Sequence, residues 1–243
     1  MIRLENISWA TPDGRSILND VSLTIPDGKL FAITGPNGGG KTTLAKLIAG
    51  IITPSCGRIY FNDIDITEKS VTERARLGIA YAFQQPVRFK GITVRNLIEI
   101  AAGGSVKEPE LCNILASVGL CARDYLSREI NSTLSGGEIK RIEIATVLAR
   151  KAPVSVFDEP EAGIDLWSFA GLIKTFEAMR KELKGSLIIV SHQERLLRIA
   201  DEIVLLADGK LSAQGSGQQL LNELISSGNA GTSCEKREAI ING

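Results

Sequence analysis

The sequence predicts an α/β fold with a mainly parallel sheet, an antiparallel N-terminal β subdomain and an inserted α-helical subdomain. Three observations predict it. Short apolar strands alternate with amphipathic helices, a glycine-rich loop joins a strand to a helix, and helical spacing dominates one long central stretch. The 243 residues are enough to bury a full core. We therefore expect one domain over residues 1–227, followed by a flexible polar tail over 228–243.

The first elements are predicted to form a β-hairpin and a buried strand. Residues 2–9 and 16–25 alternate apolar and polar positions, and a TPDG turn at 11–14 separates them. The mainly apolar residues 29–34 come directly before the glycine-rich loop, which is typical of a short buried strand. Further strands are predicted around 58–66 and 78–83.

Residues from about 93 to 150 have helical spacing, with apolar residues three and four positions apart. We assign them to a helical subdomain over about 88–150, which divides the core into 1–87 and 151–227. In the second half of the core, the pattern predicts strands at 154–157, 187–190 and 203–206, an amphipathic helix from 169, and a helix near 217–226.

Composition and charge exclude several classes of protein. Lys and Arg number 28 and Asp and Glu number 28, so no net positive field favours nucleic acid, and we expect no nucleic-acid partner. The longest apolar runs are far shorter than the roughly 20 residues that span a bilayer, so we expect no direct membrane insertion. The first residues carry an early acid and lack the apolar segment of a secretory signal, and we expect a cytoplasmic location.

The four cysteines are scattered along the chain. Cys56, Cys112, Cys121 and Cys234 form no C-x-x-C pair, and the chain has a single histidine, so a zinc site is not expected. We interpret these cysteines as ordinary buried or surface thiols.

The run at 35–42 fits the phosphate-binding pattern G-x-x-x-x-G-K-[ST] and stands, as that pattern requires, between a strand and a helix. Glycines let backbone N–H groups wrap around phosphates, Lys41 would bridge the β- and γ-phosphates, and the Thr42 hydroxyl would bind Mg²⁺. An ordinary glycine-rich turn is the alternative, and the Lys-Thr pair in register argues against it. The predicted ATP-binding residues are Gly35, Pro36, Asn37, Gly38, Gly39, Gly40, Lys41, Thr42 and Thr43.

Three other strand ends carry polar residues that suit this chemistry. Asp158 and Glu159 follow a buried strand, where α/β sheets bind ligands: Asp158 would hold Mg²⁺, and Glu159 would be the general base for the attacking water. His192 follows another apolar run, which places it at the same rim as a sensor of the γ-phosphate. Gln84 ends a third strand, where its amide would contact Mg²⁺ and the water. A polar loop residue is the alternative for Gln84.

The LSGGE run at 134–138 is predicted to open a helix, where bare backbone N–H groups and the helix dipole favour a bound phosphate. The five motifs occur in an order that resembles the ATP-binding-cassette family, and the resemblance covers about residues 1–227. It implies a P-loop ATPase core, ATP and Mg²⁺ as ligands, and a catalytic set of Glu159, His192 and Gln84.

In that family two copies of the domain close over ATP. The resemblance implies a nucleotide-dependent homodimer in which Ser135, Gly136 and Gly137 of one copy contact the γ-phosphate bound to the other. Asp165 would lie at the dimer interface, cap the helix that follows it, or do both. Family members stack adenine on an aromatic residue of the first hairpin. Trp9 lies two residues before the position of Thr11, where that aromatic would stand, and is one candidate to replace it. The alternative, which we expect, is that Trp9 packs in the sheet, so no residue is assigned to adenine.

Several stretches depart from the usual transporter pattern and resemble the SufC branch, the soluble ATPases of Suf iron–sulfur cluster assembly. They are the residues after LSGG at 138–144, the loop at 161–165 after the acidic pair, and the stretch around Gln84. The residues around His192 also resemble that branch. The resemblance implies SufB- or SufD-like scaffold proteins as partners, which would dock at about 84–125.

Two other functions stay open. An ATP-binding subunit of a membrane transporter would use the same catalytic residues, with transmembrane transporter subunits as partners. A nucleotide-gated binding module with negligible turnover is the third alternative, and the intact Lys41, Asp158, Glu159 and His192 argue against it.

Overall fold

The computed structural model describes residues 1–85, 87–182 and 185–229, and these residues form an α/β fold of two sheets and nine helices. The strands are β1 (Ile2–Ala10), β2 (Ser16–Ile25), β3 (Leu30–Thr34), β4 (Cys56–Phe61), β5 (Ile64–Asp65), β6 (Ile79–Ala82), β7 (Val154–Asp158), β8 (Ser186–Val190), β9 (Glu202–Ala207) and β10 (Lys210–Ser216). The helices are α1 (Lys41–Ala49), α2 (Val71–Leu77), α3 (Val94–Ala102), α4 (Glu108–Ser117), α5 (Ala122–Tyr125), α6 (Gly136–Arg150), α7 (Leu166–Glu182), α8 (Glu194–Leu197) and α9 (Gly217–Asn229).

The larger sheet has the strand order β10-β9-β3-β8-β7-β6, and its neighbouring strands are parallel except for β10 and β9. The strands β3, β7 and β8 are buried along their whole length, as their unbroken apolar runs predict. Because β3, β6, β7 and β8 run in the same direction, their carboxyl ends meet at one edge of the sheet. The predicted mainly parallel sheet is confirmed.

A second, antiparallel sheet of order β2-β1-β4-β5 begins the chain. The predicted hairpin of β1 and β2 is confirmed, and its turn closes with a hydrogen bond of 2.8 Å from the Gly14 N–H to the Thr11 carbonyl. Gly14 has a φ of 88°, a value that glycine adopts without strain.

Alternate residues of β3 face two separate hydrophobic cores. Phe31 and Ile33 pack with α1 and the antiparallel sheet, whereas Leu30 and Ala32 pack with α3, α6 and α7 on the opposite face. Both faces of the parallel sheet are therefore covered, and the loop that follows β3 leaves the sheet from a rigid base.

One local prediction needs correction, and three elements were not predicted. The stretch predicted as one strand at 58–66 is two short strands, because Asn62 and Asp63 turn the chain with φ values of 47° and 65°. The helices α2 and α8 and the strand β10 were not predicted. The sequence does carry a signal for α2, since Ser70 and Glu73 form a capping box at its start and Gly78 ends it in the left-handed conformation.

The helices α3 to α6 lie within the stretch where helical spacing predicts them. None of the helices in the described part of the chain is long and apolar enough to cross a bilayer. The helix α9 continues to Asn229, two residues beyond the predicted end of the domain at 227. From residue 230 onward, the predicted flexible tail lies outside the described residues, and so does Cys234.

Candidate nucleotide-binding site

The predicted site residues follow the carboxyl ends of four neighbouring parallel strands. The glycine-rich loop leaves β3, Asp158 ends β7, His192 follows β8, and Gln84 follows β6. Because β6, β7, β8 and β3 are consecutive in the sheet, residues that are far apart in sequence converge at one edge.

The loop after β3 depends on glycine at two positions. A Cβ at Gly35 would lie 2.0 Å from the carbonyl oxygen of Leu206, and Gly35 has a φ of 139°. Gly40 stands at the start of α1 with a φ of 98° and offers no side chain to cap that helix. The backbone N–H groups at the start of α1 are therefore available to an anion.

Lys41 is turned back onto this loop. Its side chain is only 6% exposed, and its Nζ donates hydrogen bonds to the carbonyl oxygens of Gly35 at 2.8 Å and Pro36 at 2.9 Å. Burial lowers the pKa of Lys41, and the nearby carboxylates of Glu159 and Asp158 oppose that shift. The ammonium group is thus held at the mouth of the loop, where phosphate oxygens can replace the two carbonyls.

Asp158 is fully buried and accepts two hydrogen bonds. Thr42 Oγ1 donates to Asp158 Oδ1 at 3.0 Å, and the Tyr81 hydroxyl donates to Oδ2 at 2.8 Å. Burial raises the pKa of Asp158, and these two hydrogen bonds oppose the shift. Burial and the Asp158 charge raise the pKa of Tyr81, so its hydroxyl stays a donor. Sequence reasoning missed Tyr81, which lies in β6 opposite Val156 of β7.

The oxygens of Thr42 and Asp158 suit Mg²⁺, which prefers hard oxygen ligands and commonly shares them with substrate phosphates. No group of three or more His, Cys, Asp or Glu side chains in the described residues could hold a metal ion without further ligands. The residues present therefore fit a magnesium ion that takes its remaining ligands from phosphate and water.

Glu159 is held in an unusual backbone conformation beside Gln84. Its φ is 46°, a left-handed value that costs energy in a residue other than glycine, and its N–H donates to the Val190 carbonyl at 2.9 Å. The Gln84 amide donates from Nε2 to Glu159 Oε2 at 2.6 Å. The predicted base and the predicted glutamine are therefore in direct contact.

Two further polar residues lie on the β8 side of the site. Ser191 is buried and donates its hydroxyl to Glu161 Oε1, while Glu161 Oε2 is buried without a hydrogen-bond partner in the described chain. Burial raises the pKa of Glu161. His192 is exposed and lines a cleft of about 320 Å³ together with Thr34, Gly35 and Pro36, so it stands beside the phosphate loop.

The LSGG element lies at the exposed start of α6. The Ser135 N–H donates to Glu138 Oε2 at 2.7 Å, and Ser135 Oγ accepts from the Glu138 N–H at 3.2 Å, which is a capping box. Ser135 and Gly136 are exposed. No hydrogen bond in the described residues connects Ser135, Gly136 or Gly137 with the loop at 35–43.

Asp165 and Trp9 have clear structural roles within the protomer. Asp165 Oδ1 accepts from the Ser168 N–H at 3.0 Å, so Asp165 caps the start of α7. Trp9 lies opposite Leu18 and packs against the core under the antiparallel sheet. The expectation that Trp9 packs in the sheet is confirmed, and adenine still has no assigned residue.

Comparison with known proteins identifies the family. The family described as ABC transporter matches residues 18–162. An uncharacterised ABC transporter ATP-binding protein of Methanocaldococcus jannaschii is 38% identical, with 85% of this chain and 85% of that protein covered. The energy-coupling factor transporter ATP-binding protein EcfA1 of Mycoplasma mobile is 33% identical, with 93% of this chain and 84% of that protein covered.

The fold also matches a solved structure, the dimeric post-hydrolysis state of an ATP-binding cassette bound to ADP and Pi. The TM-score is 0.79 at 23% identity, with 89% of this chain and 98% of that chain covered. This likeness establishes the α/β cassette fold. Given the family match and the two relatives, the chain belongs to the ABC transporter ATPase family and is an ATPase.

Proposed function

We propose that the chain hydrolyses ATP as a head-to-tail dimer, in which the LSGG element of one protomer completes the ATP site of the other. One observation carries this proposal. Lys41, Thr42, Asp158, Glu159 and Gln84 converge on one sheet edge. The LSGG element is exposed and, within the described part of the chain, makes no hydrogen bond to the phosphate loop at 35–43. In a dimer, the LSGG element of the second copy can therefore reach the phosphate loop of the first. The related cassette of known structure is itself described as dimeric.

Each residue has a defined part in the proposed reaction. Lys41 and the loop N–H groups bind the β- and γ-phosphates. Thr42, Asp158 and Gln84 would hold Mg²⁺, which when bound would neutralise phosphate charge. Glu159 takes a proton from water as the water oxygen attacks the γ-phosphorus, and the bond to the β-phosphate oxygen breaks to release ADP. His192 contacts the γ-phosphate from the β8 side.

We infer that transmembrane transporter subunits are the partners of this dimer. The relatives include proteins named as ATP-binding components of energy-coupling factor transporters. Large apolar side chains are also exposed in the stretch that follows β6 and on α3. They are Phe83, Val87, Phe89 and Ile100, with exposed fractions between 37% and 66%. Phe83, Val87 and Phe89 lie within seven consecutive residues, and neighbouring exposed apolar side chains are typical of a protein interface.

A soluble SufB- or SufD-like scaffold is the second candidate partner, and one observation favours it. The charged residues at 138–144, which follow LSGG, depart from the usual transporter pattern and resemble the scaffold ATPases. None of the relatives reported above is named as a scaffold ATPase, so the transporter proposal comes first.

Affinity purification of the tagged protein from its native cells distinguishes the two partners. Membrane-spanning subunits in the eluate would support the transporter proposal, and soluble scaffold proteins alone would contradict it and support the second candidate. Phosphate release from MgATP by the purified complex tests the catalytic part of the proposal independently.

A further inference from the structure

A buried ion pair lies on α6, one turn after the LSGG element. Lys140 has 0% of its side chain exposed and Glu143 has 14%, and Lys140 Nζ lies 3.4 Å from Glu143 Oε2. Removing two charges from water is costly, and an apolar pair of similar size is often as stable. Such a pair therefore calls for an explanation beyond the stability of the helix.

Both side chains bind the backbone of a different element. The Phe83 N–H donates to Glu143 Oε1 at 2.6 Å, and Lys140 Nζ donates to the Phe83 carbonyl and, at 3.4 Å, to the Gln84 carbonyl. Phe83 directly follows β6, where the sheet ladder ends. Side chains of α6 thus satisfy both backbone polar groups of Phe83, which would otherwise be left without ladder partners.

The contacts of Phe83 and Gln84 continue into the catalytic site on two routes. The Gln84 amide donates to Glu159, and the Phe83 ring meets the Tyr81 ring edge-on at 5.0 Å, while Tyr81 donates to Asp158. A short series of contacts therefore links α6 to both acidic residues of the site.

The opposite direction along α6 leads to the LSGG element. The helix runs unbroken from Gly136 to Arg150, so Lys140 and Glu143 lie on the same rigid rod as the residues proposed to contact ATP in the second protomer. The capping box of Ser135 and Glu138 fixes the start of that rod. A displacement of the LSGG end must move Lys140 and Glu143 with it.

We propose that Lys140 and Glu143 are positioning residues that fasten the Phe83–Gln84 backbone to α6. Docking of the LSGG element onto the second protomer then moves the Gln84 amide relative to the Glu159 carboxylate. This inference rests on the proposed dimeric ATPase and adds a regulatory device to it. In the undocked protomer the Gln84 amide occupies Glu159 Oε2, one of the two oxygens of the proposed general base. Movement of α6 shifts Gln84 and makes that oxygen available once ATP and the second protomer are in place.

A matched set of variants tests the fastening. Lys140→Met with Glu143→Leu removes both backbone contacts and leaves no lone buried charge. Glu143→Gln weakens the fastening without removing it, because a neutral amide replaces the charged acceptor of the Phe83 N–H and Lys140 loses its counter-charge. The control is Lys29→Met with Glu202→Gln, which removes an ion pair at the amino end of β3, away from the phosphate loop.

The readouts are kcat, the Kd for ATP and the melting temperature, all measured on the full chain. We expect the double variant to lose about 10²-fold in kcat, the scale typical of a misplaced catalytic group, with an unchanged Kd for ATP. We expect Glu143→Gln to lose less, and the control to match the wild type.

Three results would overturn the fastening. They are a wild-type kcat in the folded double variant, a parallel loss of kcat and ATP affinity, which marks a merely structural role, and a wild-type kcat in Glu143→Gln. If the double variant does not fold, the kcat of Glu143→Gln alone tests the fastening. If the wild type and the control hydrolyse ATP, the proposed function stands whatever these variants show; if the wild type does not, both proposals fall.

Discussion

At the scale of single residues, Glu159 combines backbone strain with a position next to Gln84 and Asp158. A left-handed φ in glutamate persists only where the surroundings hold it, and here its N–H is bonded to Val190 at the end of β8. The bond to the Val190 carbonyl therefore holds the strained backbone that carries the carboxylate at the sheet edge.

We expect Glu159→Gln to lower the rate of ATP hydrolysis by about 10²–10⁴-fold, because the amide cannot accept the proton of the attacking water. The same variant should keep its affinity for ATP, since Lys41 and the loop are intact. Phosphate release and nucleotide binding measure the two effects. Unchanged hydrolysis would remove Glu159 from the role of general base.

Lys41→Ala should act on binding instead. The Lys41 ammonium is held by two loop carbonyls at the mouth of the site, so its loss removes the charge that meets the phosphates. We expect ATP affinity to fall in isothermal titration, with a melting temperature near that of the wild type as the control. Full-strength ATP binding would contradict the assignment of the phosphate loop.

At the scale of elements, the start of α6 is stabilised by one carboxylate. A hydrogen bond from Tyr125, the Ser135 backbone N–H and the nearby Arg128 lower the pKa of Glu138 from 4.5 to about 2. A depressed pKa in the folded state contributes stability that is fully present above pH 4.5 and is lost as the pH falls towards about 2.

Glu138→Gln should therefore destabilise the protein in a pH-dependent way. Glutamine can still complete the capping box, so the variant removes the charge and keeps the backbone cap. We expect the variant to have the lower free energy of unfolding at neutral pH, and the difference should shrink as the pH falls below 4.5. Urea denaturation across that range measures it, and a difference independent of pH would refute the role of the charge.

Elements also show what the sequence could predict. The phosphate loop, the acidic strand end and the helix start at LSGG are local patterns, and each lies where its spacing predicts. Tyr81 and Lys140 carry no local signal, because their contacts depend on β6 lying beside β7 and on α6 packing against the end of β6. Glu143 lies in a helix, where a charged side chain is usually exposed to solvent. Its burial therefore becomes evident only from the elements that pack around it.

At the scale of the whole molecule, one protomer holds two halves of a site that belong to different ATP molecules in the proposed dimer. The phosphate loop with its acidic residues faces one nucleotide, and the exposed LSGG element faces the nucleotide of the partner. A substitution at Gly136 tests this arrangement without disturbing the fold of the protomer. A Cβ at Gly136 would meet open space, and an acid in the first turn of a helix is favourable to that helix.

We therefore expect Gly136→Asp to fold normally and to bind ATP in its own loop, since that loop is untouched. Its carboxylate would repel the γ-phosphate held by the second protomer and prevent closure. The adjacent Gly137 is less suitable, because a Cβ there would lie 3.0 Å from the Gly163 carbonyl oxygen.

The mass in solution of Glu159→Gln with MgATP tests the composite site most directly. Light scattering after size exclusion should give the mass of two protomers with MgATP and of one without it, and the added Gly136→Asp change should restore one protomer in both conditions. A mass that does not respond to ATP, or a dimer that survives Gly136→Asp, would contradict the account.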